Sequence, residues 1–200
     1  MEYPETISFY RRKLPHWTVR GRSFFLTIRL KNSIPRQELE ELKNKTLKLK
    51  EESNKPGASN NFLETYICHL DSILDNSKDN LFLQDPKVAK LIIDSLLWIE
   101  TNYTWKILSA VVMPNHLHIL TAGEQATKSF NKVFSIFKGY TAREANIILS
   151  RKGAFWAPET FDHWCRTPFE EERIKKYIID NPVKARLAGK SSDWPWMIIK

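Results

Sequence analysis

Apolar and polar positions alternate most clearly in residues 110–122, AVVMPNHLHILTA. Two apolar runs meet at a Pro-Asn turn, which predicts a β-hairpin. Residues two apart in a strand share a face, so His116 and His118 point one way while Leu117 and Ile119 point the other, toward a core. Residues 23–30 alternate as well. Phe24, Leu26, Ile28 and Leu30 share one face, which predicts a strand with one side buried.

Elsewhere the period is helical. Residues 35–55 are highly charged, with a broken stripe of Leu39, Leu42, Leu47 and Leu49, and predict a partly exposed helix. SNKPGASNN, residues 53–61, reads as a linker. Phe62, Tyr66, Ile67, Leu70, Ile73 and Leu74 predict the next helix. Together residues 36–81 are expected to form an inserted helical pair on the surface, apart from any catalytic machinery. Asp85 and Pro86 cap and open a helix to about residue 102, with Val88, Leu91, Ile92, Leu96 and Ile99 inside. A strand follows at 103–113. Phe130, Val133, Phe134 and Phe137, then Ala142, Ala145, Ile148 and Leu149, predict a long helix at 129–149. Residues 151–169 read as an aromatic loop. A last helix starts at Pro168, with acids in its first turn, where the helix dipole favours them. Pro182 is expected to end it or force a turn. The remainder, 188–200, is expected to be a tail.

Composition narrows the class. The 200 residues are 42% hydrophobic and 12% aromatic, enough for a single cored domain over 1–200. Cys68 and Cys165 lie far apart and give neither a zinc spacing nor a disulfide framework, so a reducing cytoplasm is expected. No apolar run is long enough to span a membrane, and the first residues have no leader-like apolar stretch. The formal net charge of +8 favours a polyanionic partner. Residues 9–31 carry seven Lys or Arg and no acid. Arg11, Arg12, Lys13, Arg20 and Arg22, interleaved with His16 and Trp17, suit a nucleic-acid strand: cations for phosphates, rings for bases. A solvated arm with Trp17 packed on the core is the alternative.

Three chemistry-bearing features remain. His116 and His118 on one strand face are a two-ligand start to a metal site, or one exposed and one hydrogen-bonded imidazole without a metal. Tyr177 and Asn181, four apart, share a helix face. Lys138 and Arg143 are cations of the 129–149 helix, usually a solvated face. His163, among aromatics, reads as structural.

In order along the chain, VVMPNHLHIL, FKGYTAREAN, FWAPETFDHWCR, YIIDNPVKARL and DWPW resemble the REP-associated tyrosine transposases, of the wider single-tyrosine HUH insertion-sequence transposases. YRRKLPHWTVRGRSFFLTIRL is similar to one branch of them. The resemblance spans residues 9–35 and 82–196, leaving 36–81 as the variable part. It implies an α+β fold, with a ferredoxin-like or palm-like antiparallel sheet and helices packed on it. It implies a metal-dependent endonuclease and strand transferase for hairpin-bearing, REP-like single-stranded DNA. His116 and His118 match the metal-binding pair, Tyr177 the nucleophile that forms a 5′-phosphotyrosine, and Asn181 the position of a third ligand. Asn181 could instead cap the helix end or hold the Asn-Pro turn. The cofactor implied is Mg²⁺ or Mn²⁺, and the DNA-contacting cations would be Arg11, Arg12, Lys13, Arg20, Arg22, Lys138, Arg143 and Lys184. A monomer in the cytoplasm, associated with the nucleoid, is the expected state, a homodimer the other. The alternative function is a domesticated binder of structured single-stranded DNA or RNA that does not cut. Tyr140 is the competing nucleophile and reads as a packing residue.

Overall fold

The computed structural model describes residues 5–11, 15–53, 62–123 and 129–200. Its first element is a two-stranded antiparallel hairpin, β1 (Thr6–Arg11) and β2 (Pro15–Val19), where an arm was expected. Arg12 and Lys13 lie outside the described residues, and so does the side chain of Arg11.

A five-stranded, wholly antiparallel sheet organises the rest. Its strands are β3 (Ser23–Arg29), β4 (Lys106–Val112), β5 (His116–Ala122), β6 (Phe161–Trp164) and β7 (Met197–Ile199). Their spatial order is β6-β3-β5-β4-β7, so the histidine strand is central. The two outermost strands are corrections to the sequence reading. β6 lies in the expected aromatic loop and β7 in the expected tail. Both are too short to show a period. β6 is held by its pairing to β3, and β7 is helped by the Trp194 indole, which donates to the Val112 carbonyl at 3.0 Å.

Among the described residues, five α-helices cover both faces. α3 (Pro86–Tyr103) and α4 (Phe130–Ile148) pack on the face carrying Phe24, Leu26, Ile28, Leu117 and Ile119. Asp85 caps α3 by accepting from the Lys87 and Val88 amides. α2 (Phe62–Asn76) and α5 (Pro168–Lys184) pack on the opposite face, against Phe25, Val111 and Leu120, with Leu42 of α1 (Arg36–Ser53) in the same cluster. The result is an α+β sandwich with a three-layer section. β3 is therefore buried on both sides, not one: Phe25 is as inaccessible as Leu26. No helix among the described residues is long and apolar enough to cross a membrane.

α5 runs through Pro182 to Lys184, past the predicted stop. Proline in the final turn forfeits a single backbone hydrogen bond. The ladder resumes at once, with the Ala185 amide bonded to the Asn181 carbonyl at 2.9 Å. This extra turn holds Asn181 and Pro182 buried against the sheet.

Candidate active site

The site lies on the sheet face under α2 and α5. His116 and His118 share that face because β5 alternates, and Leu117 and Ile119 enter the other core, as the pattern predicts. The imidazoles are not turned to solvent, however; both are fully buried. Their ring centroids are 4.8 Å apart.

Hydrogen bonds determine how each ring presents its nitrogens. The Asn115 amide group donates to the Leu74 carbonyl at 2.8 Å, which leaves the Asn115 oxygen to accept. His116 Nδ1 lies 2.8 Å from that oxygen and must be the protonated nitrogen. His116 Nε2 then carries a bare lone pair and has no partner. Burial, with His118 alongside, pushes the His116 pKa down to about 3, so the ring is neutral. A neutral imidazole oriented through its other nitrogen is the usual state of a metal-ligating histidine.

His118 is held at both nitrogens. Nδ1 lies 3.0 Å from the Thr27 hydroxyl on the paired strand β3, and Nε2 lies 3.2 Å from Asp71 Oδ2 on α2. The Asn181 side-chain amide of α5 donates to the same carboxylate oxygen at 3.0 Å. Burial alone would raise the Asp71 pKa, but His118, His116 and Asn181 together hold it below the ordinary carboxylate range. Asp71 is thus an ionised acceptor, and His118 Nε2 is the donor to it.

Asp71 corrects the expectation that the 36–81 helices stand apart from the site. It was legible in one respect: it falls four residues after Ile67 and three before Leu74, inside the buried stripe of α2. An acid at a core position needs a partner, and only the tertiary structure shows which.

Tyr177 projects from α5 onto the same cluster. Its ring stands edge-on to His118 at 5.6 Å and to Phe25 at 6.2 Å. Its hydroxyl is buried without a hydrogen-bond partner. Lys184, two turns on, places its ammonium 4.7 Å from the Tyr177 ring centroid. Among the described residues, six buried side-chain polar atoms lack a partner, and four of them belong to Asp71, His116, Tyr177 and Asn181. Such orphans are costly and point to a ligand. One ligand atom each from Asp71, His116 and His118 lie within 4.8 Å of one another, and two imidazoles with a carboxylate suit a divalent cation.

Arg29 is a further residue that the sequence reading passed over. It faces the same side, paired across strands with His116, and is partly buried without a carboxylate partner among the described residues. Burial lowers its pKa, with Tyr66 nearby acting in the opposite sense.

The remaining predicted cations are dispersed. Arg20 is exposed and pairs with Glu5 at 2.7 Å, and Arg22 donates to the Arg166 carbonyl at 3.3 Å. Lys138 and Arg143 sit on α4, across the sheet from the histidines. Lys138 donates to the carbonyls of Ala157 and Pro158 and to the Thr160 hydroxyl; Arg143 bonds Glu144. Lys138 also lines a groove of about 800 Å³ between α4 and residues 154–162. Tyr140 is 47% exposed on α4, not packed, and far from the histidine face. His163 bonds Glu170 at 2.9 Å, consistent with a structural histidine.

The likeness to known proteins agrees with this architecture. A REP-associated tyrosine transposase bound to a REP hairpin superposes with a TM-score of 0.58 over 96% of this chain and 82% of its own, at 17% identity. At that identity the likeness speaks for the fold. A proposed transposase from Deinococcus radiodurans R1 aligns more loosely, with a TM-score of 0.42, 16% identity, and coverage of 82% of this chain and 93% of its own. No curated protein matches the sequence. The family model described as "Transposase IS200 like" matches residues 68–181, a span that contains Asp71, both histidines, Tyr177 and Asn181; the chain belongs to the IS200-like transposase family.

Proposed function

We propose that this transposase-family chain cleaves and rejoins hairpin-bearing single-stranded DNA through a covalent link to Tyr177. The observation that carries this reading is the partnerless, buried Tyr177 hydroxyl on a ring packed edge-on to His118. A phenol with no structural bond to lose, beside an imidazole pair, is what a nucleophile requires.

His116, through its free Nε2, and His118, once its ring proton shifts from Nε2 to Nδ1 where the Thr27 hydroxyl can accept it, would hold the divalent cation, Mg²⁺ or Mn²⁺, with Asn181 as the third side chain that the family resemblance suggests. When bound, the ion supplies Lewis-acid polarisation of the scissile phosphate. The Tyr177 oxygen attacks phosphorus, the bond to the 3′ oxygen breaks, and a 5′-phosphotyrosine and a free 3′-hydroxyl result. The phosphoester energy is retained, so a second 3′-hydroxyl can reverse the step and join strands. Lys184, above the Tyr177 ring, favours the phenolate as its proton leaves. Arg29 is placed to meet a backbone phosphate from the same face. Arg11, Arg12, Lys13, Arg20 and Arg22 would bind DNA flanking the cut, and Lys138 and Arg143 would extend that contact along α4. Tyr177 and both histidines come from one chain, which supports a monomer that completes its own site and acts on DNA in the cytoplasm.

The test is a labelled single-stranded hairpin incubated with Mn²⁺. A protein–DNA adduct that survives denaturation should form with the native protein and be absent for Tyr177→Phe. An equal adduct with that variant overturns the nucleophile assignment. Tight binding with no cleavage of any hairpin tested favours a non-cutting binder.

A further inference from the structure

We propose that the Phe169 ring, at the exposed start of the tyrosine helix, is a stacking platform for one unpaired base of the DNA strand, with Arg173 holding a phosphate beside it. This rests on the single-stranded-DNA reading above and adds the path the strand takes beside Tyr177.

A single exposed aromatic ring is ordinary on a protein surface. Phe169 differs in its placement. It is 73% exposed, more than any other large hydrophobic side chain among the described residues, and it joins neither apolar cluster. Phe169, Arg173, Tyr177 and Asn181 follow one another at four-residue spacing and form one ridge of α5. Such a ridge winds around the helix, so it passes from solvent at Phe169 to the half-buried Tyr177 and the buried Asn181. A strand lying along it is led from the open surface to the Tyr177 side chain. Eight residues of helix make about 12 Å, the reach of roughly two to four nucleotides of single strand.

The charge around the ring selects a nucleic acid over an apolar partner. The Arg173 guanidinium carbon lies 6.0 Å from the Phe169 ring centroid. Arg166, just before the helix cap Thr167, is exposed, with its guanidinium carbon 5.8 Å from the Trp164 ring centroid. Its carbonyl accepts from Arg22. Three arginines therefore gather around the corner where β6 runs into α5. Two of the first-turn acids are turned elsewhere. Glu170 accepts from the Arg166 amide at 2.7 Å and bonds His163, and Glu171 accepts from the Ser23 hydroxyl. Glu172 is exposed, but the helical period puts it on the flank of Phe169 away from Arg173. A ring for a base and cations for the adjoining phosphates is the pairing that binds single strands with little regard to sequence.

The test measures binding to a labelled DNA hairpin with single-stranded flanks of mixed sequence on both sides. Fluorescence anisotropy is followed in EDTA, with the Tyr177→Phe protein as parent so that no adduct forms. Phe169→Ala should weaken binding roughly 5–150-fold, the usual worth of one base stacked on an aromatic ring. Phe169→Trp should retain it. Both should melt with the parent, because the ring supports no core. A single abasic site, moved along each flank, should weaken binding by a similar factor at one position, and that loss should disappear in Phe169→Ala. Unchanged affinity in Phe169→Ala, or abasic losses that persist in it at every position, overturns the platform. So does a change of molecular mass on Phe169→Ala, measured by light scattering without DNA, which would make the ring a contact between copies of the chain. Arg173→Gln should flatten the slope of log affinity against log salt by about 0.7 unit, and an unchanged slope overturns the phosphate contact. Cleavage is judged separately, from the adduct formed by the native chain. Coupled losses without an adduct keep the platform and overturn the Tyr177 nucleophile; an adduct without coupled losses keeps the nucleophile and overturns the platform. No binding of the hairpin overturns both.

Discussion

The two faces of the sheet do different work. On the α3/α4 face, Phe24 packs on Phe130 at 5.1 Å and on Trp105 at 6.1 Å, and Leu117 and Ile119 are sealed beneath. The polar groups it buries are bonded: Thr141 donates to the Phe137 carbonyl and accepts from the Trp156 indole. On the α2/α5 face, an ionised carboxylate, two imidazoles, an amide and a phenol are buried together, with several of their atoms partnerless. One face is built to maximise dry burial. The other gives up such burial to keep reactive groups desolvated and oriented, the pattern expected where a fold carries a site.

The contrast is easiest to break with a pair of truncations. Phe24→Ala should lower stability by about 3–5 kcal/mol, from lost burial and the cavity left behind. Tyr177→Phe should abolish the DNA adduct yet leave the melting temperature almost unchanged, because its hydroxyl makes no hydrogen bond to lose. Denaturant melts and the adduct assay on both variants check this. A large stability loss in Tyr177→Phe would make its hydroxyl structural and erase the distinction between the faces.

A smaller effect is expected at Arg29. A charged hydrogen bond to phosphate is worth about 1.5–3 kcal/mol, so Arg29→Gln should lower single-turnover cleavage roughly 10–100-fold with little change in stability. An unchanged rate would remove Arg29 from the site. Next is the N-terminal hairpin. Replacing Arg11, Arg12 and Lys13 with Ala should flatten the dependence of log affinity on log salt, by up to about 2 units if each contacts a phosphate of single-stranded DNA. An unchanged slope in a binding titration places these three cations off the backbone.

The smallest effect concerns acidity on the site face. Burial, then the Asp71 charge, raises the Asp75 pKa to about 6. A folded-state pKa above the ordinary value of about 3.9 means the folded protein holds this proton more tightly than the unfolded chain. Stability therefore falls as pH rises from about 4 to 6, and the deficit is full above that window. In EDTA, Asp75→Asn should raise the melting temperature by a degree or two (roughly) at pH 8 and leave it unchanged at pH 4. Equal shifts at both pH values would show that the carboxylate does not titrate above its ordinary range.

What was legible in the chain depended on period and punctuation. The helix at 86–103 has a cap, a first-turn proline and a clean stripe, and forms as read. So do the helix at 130–148 and the hairpin at 106–122. The strand at 161–164, the edge strand at 197–199 and the extra turn of α5 through Pro182 escaped the reading. Each is short or locally disfavoured and is held by neighbours distant in sequence.

The candidate site divides the same way. The sequence by itself determined that His116 and His118 share a strand face and that Tyr177 and Asn181 share a helix face, since both follow from periods of two and about 3.6. It also brought out the family resemblance that singled these residues out. Only the tertiary structure decided that both histidines are buried, that Tyr177 packs on His118, and that Asp71 lies between His118 and Asn181. Asp71 and Asn181 are 110 residues apart in the chain. No local period encodes contact across that separation; it arises because two helices and one strand must bury their apolar faces against the same side of one sheet.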